Sequence, residues 1–355
     1  MKSIVFDTAA LKHNIEVVRS RAGDAQIFAV LTGDGYGAGL VDLARVLRDN
    51  GIDSFAIGDP EDALRLRDAG FGEEQILMLN STVDTEVLKQ LIDLNVICTI
   101  GSYETGVALN AAAEELGTYA EAHVLIDTGI GYCGFLPSEP EKLLQIFQHL
   151  PRVTISGTYT RLVSDSKDIS HQVELFQEAL NTLRQQGLDP GLIHVCNSGS
   201  LMQTDNIQFG AVRVGSALLG LTEQRRSRGR TALKQVCHGE ATLDVVRWLP
   251  KGSSLGYEQQ VTLRRATRVA ILQVGYQNGF GTERTCTNCF RAFLQALRSR
   301  RRRYVTIDGK RARILGRIGP TETAIDVTDL KCSETSVARF RIDPRFARGL
   351  RRVYR

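Results

Sequence analysis

Over residues 1–222, short apolar runs separated by amphipathic stretches recur at intervals of some twenty to thirty-five residues. The runs Gln26–Leu31, Ser54–Gly58, Gln75–Leu79, Val96–Ile100, Ala122–Ile126, Val153–Tyr159, Leu192–Cys196 and Gln208–Val214 predict buried strands. Between them Gly39–Asp49, Asp59–Ala69, Thr85–Leu94, Ser102–Glu115, Glu139–Leu150 and Gln172–Gln186 carry the spacing of amphipathic helices. Asp59-Pro60-Glu61 places proline at a first helical position, and Ser102 with Thr105 offers a cap. A strand followed by a helix, repeated eight times, predicts an α/β fold: a (β/α)8 TIM-type barrel over residues 1–222. A doubly wound open sheet is the rival, but its glycine fingerprint and trailing acidic residue are not convincingly present.

Near residue 223 the period changes to two. Leu221–Arg230 is polar and arginine-rich, which suits a linker. Ala241–Leu249, Gln259–Leu263, Arg268–Val274, Arg303–Ile307, Ala312–Ile318, Thr323–Val327 and Val337–Ile342 then predict a β-rich C-terminal domain over residues 223–355.

Charge sharpens this division. Residues 1–222 hold 15 Lys+Arg against 29 Asp+Glu, a net of −14, whereas residues 223–355 hold 29 against 11, a net of +18. An acidic and a basic domain that pack together, within or between subunits, account for this better than a nucleic-acid module. The run Arg298, Arg300, Arg301, Arg302, Arg303 lacks interleaved aromatics. Seven cysteines, an odd number, argue against a disulfide framework, and Cys98, Cys133 and Cys196 fit the core. The CxxC pair Cys286 and Cys289 has no second pair of ligands nearby, so no metal site is expected. No apolar stretch reaches the roughly 18 residues of a membrane span, and a cytoplasmic protein is expected.

The candidate chemistry begins at Ile27–Gly39, where an apolar run opens onto glycines at 33, 35, 37 and 39. Such a loop lets backbone N–H groups approach a phosphate or acidic headgroup; it also suits a tight strand-to-helix turn with several positive φ angles. Barrel ligands sit at the carboxyl ends of the strands. Those ends read Thr32, Tyr36, Asp127, Tyr132, Tyr159, Arg161, His194, Asn197, Ser198 and Arg213. The last two loops, His194-Val-Cys-Asn197-Ser198-Gly199 and Arg213-Val-Gly215-Ser216, have the small residues a phosphate cradle needs. Singly, His194 and Arg213 are equally readable as core residues; at successive strand ends they favour a site.

These segments resemble the alanine racemase family, a fold type III group of pyridoxal-phosphate enzymes. The glycine-rich loop is similar to that family's cofactor-lysine signature, with Thr32 where the lysine stands. His194-x-x-Asn197-Ser198 resembles its phosphate loop, Arg213-Val-Gly215 the segment whose arginine meets the pyridine nitrogen, and Asp127-Thr-Gly-Ile-Gly131 its DTGMGR segment up to the last position. Arg268–Phe280 is similar to its GYADG segment, and Tyr257 sits where the second catalytic base is expected, at a fitting distance from Tyr276. The resemblance implies that Tyr36, His194, Asn197, Ser198, Arg213, Gly215 and Ser216 bind pyridoxal phosphate. It also implies that Tyr132, Arg161 and Tyr276 face substrate, and that Tyr257 reaches a partner's barrel in a head-to-tail homodimer.

The departures are specific. Thr32 has no amine to anchor the cofactor and is no general base unaided. Tyr132 replaces an arginine that aids carboxylate binding, Arg161 replaces a histidine beside the ring, and Gly319-Pro320-Thr321 replaces a Met-Asp pair. Lys12, Lys89, Lys142 and Lys167 lie away from the strand ends, Lys167 least so. The expectation is a pseudoenzyme without normal racemase activity that keeps a phosphate pocket, any pyridoxal phosphate being held non-covalently. The alternatives are an active amino-acid racemase, an isomerase, or an enzyme remodelled for another small-molecule amino acid or phosphorylated ligand. No membrane or nucleic-acid partner is expected.

Overall fold

The computed structural model describes residues 1–163, 166–203, 209–222, 232–256, 261–282 and 304–355. Tyr257, the Cys286/Cys289 pair, the arginine run and most of the Leu221–Arg230 segment lie outside them, as does the side chain of Lys167. The chain divides into two units, Ala9–Gln235 and Met1–Thr8 with Val236–Arg355.

The larger unit is a (β/α)8 barrel. Its strands are β2 (Gln26–Val30), β3 (Ser54–Ile57), β4 (Gln75–Met78), β5 (Cys98–Ile100), β6 (Ala120–Ile126), β7 (Val153–Thr160), β8 (Leu192–Asn197) and β9 (Ala211–Val214), after the N-terminal strand β1 (Lys2–Phe6). They pair in parallel in the order β4-β3-β2-β9-β8-β7-β6-β5. Backbone bonds from Met78 to Ile97 and from Ile97 to Ile76, both 2.8 Å, join the two ends and close the cylinder. Closure leaves no open edge, and the interior fills with side chains. Phe28, Ala56, Leu77, Ile97 and Ala211 form one such cluster. Leu40–Asp49, Pro60–Asp68, Thr85–Asp93, Tyr103–Glu115 and Pro140–Gln148 are helices as the pattern predicts; Ser166–Gln185 begins six residues before the predicted Gln172, and Thr8–Ala22 is a helix the pattern did not predict. Pro60 does occupy the first turn of its helix with Asp59 accepting from Glu61 N, and Ser102 and Thr105 form a reciprocal capping box.

The smaller unit is an antiparallel β domain. It comprises β10 (Cys237–Leu249), the short pair β11 (Ser254–Leu255) and β12 (Val261–Thr262), β13 (Thr267–Leu272), β14 (Tyr304–Ile307), β15 (Lys310–Leu315), β16 (Thr323–Asp326), β17 (Val337–Phe340) and β18 (Arg351–Tyr354). The main sheet runs β13-β16-β15-β14-β17-β10-β1-β18, and β13 also pairs with β10. Long β10 pairs with β1, β17 and β13, its register against β13 shifting between Leu243 and Val245.

Strand β1 corrects the boundary read from the sequence, which placed residues 1–222 together. Four of its five residues are buried in succession, and it pairs antiparallel with β10 and parallel with β18, so Lys2–Phe6 belongs to the β domain. Cys133 is also only partly buried, unlike Cys98 and Cys196. It lies in the loop after β6, where a Cβ on Gly101 would meet its sulfur.

Candidate functional site

The loop after β2 has an unusual conformation that its glycines explain. Gly33, Asp34, Gly35, Tyr36 and Gly37 all have positive φ, between 55° and 83°, making one turn of left-handed helix. L-residues resist this conformation, which is why three of the five positions are glycine and one is aspartate. Gly35 N donates to Leu31 O at 2.8 Å and Gly37 N to Gly33 O at 3.0 Å, so the turn has its own ladder. Asp34 secures it, its Oδ1 accepting from Leu40 N and from Arg65 Nη2, both at 3.0 Å.

This turn carries Tyr36 against the last strand end. An ideal Cβ on Gly215 would lie 2.4 Å from a Tyr36 ring carbon and 2.8 Å from its hydroxyl, so only glycine admits the tyrosine. Behind them the buried Ser198 Oγ accepts from Gly215 N at 3.0 Å and Ala217 N at 3.2 Å. Asn197 Oδ1 accepts from Gly199 N and Ser200 N, and its amide donates to Leu162 O at 2.8 Å. Tyr36, Asn197, Ser198, Gly215 and Ser216 are thus brought together at the ends of β8, β9 and the β2 turn. Small residues, two hydroxyls and a phenol gathered here leave room for a phosphate to approach the backbone.

Beside it lies a buried polar row. Arg213 donates to His194 Nδ1, to His194 O at 3.0 Å and to Thr160 O. His194 Nε2 lies 2.9 Å from His123 Nδ1. Because the guanidinium can only donate, Nδ1 of His194 is unprotonated and its Nε2–H donates onward, making both imidazoles neutral. Burial drives the same result: desolvation and then the Arg213 charge push His123 down to about 3 and His194 well below its ordinary value. Desolvation pushes Arg213 itself down to about 10, leaving it charged near neutrality. Tyr159 stacks on His194 at 4.7 Å and sits under the Arg213 guanidinium at 4.6 Å.

Two backbone irregularities build this row. β8 and β9 shift register between His194 and Asn197, and β6 and β7 shift beside His123 and Gly157. A Cβ at Gly157 would come within 2.7 Å of the His123 ring, so that glycine makes its room.

A cavity of about 510 Å³ opens at the ends of β2, β3, β4 and β7, lined by Thr32, Gly33, Gly58, Asp59, Asp62, Leu79, Asn80 and Arg161. Thr32 begins the left-handed turn, and Gly58 keeps space for its methyl, to which a Cβ would approach within 3.0 Å. Arg161 spans the cavity wall by donating from Nη2 to Leu79 O at 2.5 Å. Thr32 and Arg161 are therefore brought together, as the strand-end reasoning expected. Tyr132 is not among the lining residues and is 87% exposed. Its neighbour Asp127 folds back instead, its carboxylate accepting from the N–H groups of Gly129, Ile130 and Gly131. Tyr276, in the β domain, begins a 3-10 turn and is 53% exposed.

Sequence reasoning missed Asp59 and Asn80, although the strand-end rule applied to β3 and β4 points to them, and Asp62, which lies in the first turn of the helix Pro60–Asp68. It also missed His123, which sits inside β6 and carries no local signal. Among the described residues, no group of three His, Cys, Asp or Glu side chains is arranged to hold a metal ion, and no helix is long and apolar enough to cross a membrane.

A parallel barrel followed by an antiparallel β domain defines a two-domain (β/α)8-barrel protein. The models for "Alanine racemase, N-terminal domain" and "Alanine racemase, C-terminal domain" match residues 6–223 and 236–340. The chain belongs to the alanine racemase family. A Methylacidiphilum infernorum protein named alanine racemase is 30% identical over 329 residues, spanning 92% of this chain and 79% of that protein. One from Methanococcus maripaludis is 27% identical over 333 residues, 92% and 84% of the respective lengths. The fold matches that of alanine racemase from D-cycloserine-producing Streptomyces lavendulae, with a TM-score of 0.84 at 22% identity over 100% of this chain and 97% of that one.

Proposed function

We propose that this alanine-racemase-family chain binds pyridoxal phosphate without a covalent anchor and lacks normal racemase turnover. The observation that carries the reading is the combination of a built cradle with Thr32 at the end of β2. The family resemblance puts the cofactor lysine at that position, and a threonine offers no amine to the cofactor's aldehyde.

The residues present fit the rest of the group. Ser198, Gly215, Ser216, Asn197 and Tyr36 would hold the phosphate, and Arg213, oriented by His194, would serve the ring nitrogen. A charged arginine there keeps a proton off that nitrogen. Bound pyridoxal phosphate supplies an electron sink for the α-carbon of an amino acid. Proton exchange at that carbon needs a base on each face. Tyr257 is the base that the resemblance implies, reaching over in a head-to-tail homodimer; Thr32 supplies none for the other face. Loss of a single general base lowers rates by roughly 10²–10⁴.

The test is an absorption titration with pyridoxal phosphate, then borohydride reduction and peptide mass mapping. Saturable binding with only a free-aldehyde spectrum is expected. A reduced adduct mapped to one lysine, Lys167 for instance, overturns the proposal and revives the racemase reading. Thr32→Lys is expected to turn the loaded protein yellow. A second reading, a pocket remodelled for another ligand, is favoured by Arg161, which lines the cavity beside Thr32.

A further inference from the structure

Within the β domain, three adjacent strands present arginines to solvent. β15, β14 and β17 alternate between buried and outward positions. Directly opposed residues of neighbouring strands share a face, so the registers Thr306↔Arg311, Tyr304↔Arg313 and Thr306↔Arg339 lay out one surface. One row across it reads Arg311, Thr306, Arg339. The next carries Arg313 and Tyr304, and Arg341, exposed just after β17, continues it. Each outward position of β14 therefore has an arginine on either side, and none of the positions named is acidic.

These arginines are exposed, and Arg311, Arg313 and Arg341 have no ion-pair partner among the described residues. Arg339 gives its Nε to Glu240 at 3.1 Å, which leaves its terminal nitrogens for another acceptor. The carboxylates bordering the face are engaged. Glu240 also holds Arg355, while Asp326, opposite Arg313, accepts from Thr328 and lies 3.6 Å from Arg265. Asp308 sits in the β14–β15 turn, at the end of the face. Guanidiniums gathered without a counter-charge among them attract an anion.

The spacing selects the kind of anion. Two residues along a strand span about 6.8 Å, and an extended peptide laid along β14 presents every second side chain at the same step. Carboxylates at alternate positions would then meet successive arginine pairs, in the geometry the guanidinium fork favours. Bases find no bare stacking platform: Tyr304, the one aromatic among these outward positions, is half-buried and already has the Arg311 guanidinium over its ring at 4.3 Å. A bilayer has little to bury, since Val337 is the one large apolar side chain exposed on these strands.

We propose that this face docks an extended acidic peptide with Asp or Glu at alternate positions, independently of the barrel site. Arg311 and Arg313 on one flank and Arg339 and Arg341 on the other grip successive carboxylates from both sides.

Fluorescence anisotropy with the full chain tests this. The probes are a labelled alternating Glu-Thr peptide, its block isomer with the glutamates first, and an oligothymidylate of equal charge; phosphatidylserine vesicles are followed by co-sedimentation. The alternating peptide is expected to bind about fivefold or more tightly than either labelled competitor, and less tightly as salt rises. Arg311→Ser with Arg313→Ser is expected to weaken it roughly tenfold, and Arg341→Ser, from the other flank, by a few-fold, with Tm unchanged in both. Equal or tighter binding of the block isomer or the oligothymidylate overturns the proposal, as does an undiminished affinity in either variant. Vesicle binding that these substitutions abolish assigns the face to a membrane, and a fall in sedimentation coefficient in the double variant assigns it to a second copy of the chain; each of these also overturns it.

Discussion

Replacing Gly215 with alanine perturbs the cradle at one atom. Gly215 is not among the residues with positive φ, so its backbone accepts alanine and the whole effect is steric. The new Cβ would lie 2.4 Å from one Tyr36 ring carbon and 2.8 Å from the next and from the hydroxyl, distances real Cβ contacts essentially never show. Tyr36 must yield, yet its own φ of 56° is fixed inside the left-handed turn, with Gly37 N bonded to Gly33 O and Asp34 O. Overpacking of this kind costs about 1–3 kcal/mol. For a unit of this size, that corresponds to a fall in Tm of roughly 2–10 °C. Tyr36→Ala removes the obstructing atoms, so the double variant should lose less than the sum of the two single losses. Thermal unfolding of the four proteins measures the coupling, and a pyridoxal phosphate titration reads the displaced phenol. An unchanged Tm for Gly215→Ala, or strictly additive losses, would refute the packing argument.

Further outcomes follow from the charged and buried groups. Glu240 in β10 is 5% exposed and receives Arg339 Nε and Arg355 Nη1, each at 3.1 Å, and His238 Nε2 at 3.2 Å. Burial pushes its carboxyl up, but the His238 bond and the two guanidiniums outweigh this and hold it below the ordinary value. Its contribution is therefore complete above the ordinary carboxylate pKa and lost as pH falls through the lowered one. Both arginines are more than half exposed, so Glu240→Gln should cost only about 1–2 kcal/mol at neutral pH, with little loss in acid. Equal destabilisation at both pH values, in urea titrations, would contradict the ion-pair account. His123 and His194 bind no proton in the fold where the unfolded chain does, so stability should fall as pH drops below about 6.5, by about 1.4 kcal/mol per unit for each ring. Nitrogen-15 shifts showing either ring titrating near 6.5 would rule this out.

How much of the site was legible follows from where each signal lives. Thr32, Arg161, Asn197, Ser198 and Arg213 were found because a barrel collects the carboxyl ends of its strands, and each of them sits at such an end. The glycines at 33, 35 and 37 announced positive φ, which the left-handed turn uses. His123 was not legible because it looks like an interior strand residue until β6 and β8 curve it onto His194, 71 positions away. Tyr132 is 87% exposed in this chain, in the loop whose N–H groups the Asp127 carboxylate gathers.

By itself the sequence determined the order and type of most elements, though not of Lys2–Phe6, the helix Thr8–Ala22 or Arg351–Tyr354, because burial period is a local property of the chain: near-continuous apolar runs for two-sided strands, a 3.6 repeat for helices, a period of two beyond residue 223. It also determined that no amine stands at position 32. Only the tertiary structure decided that Lys2–Phe6 pairs into the β domain and that Gly215 exists to admit Tyr36. It alone decided that Asp59 and Asp62, just after β3, share one cavity with Arg161, just after β7. Those relations join residues far apart in the chain, and pairing of that kind leaves no periodic trace; it is settled when the barrel closes and side chains compete for the same space.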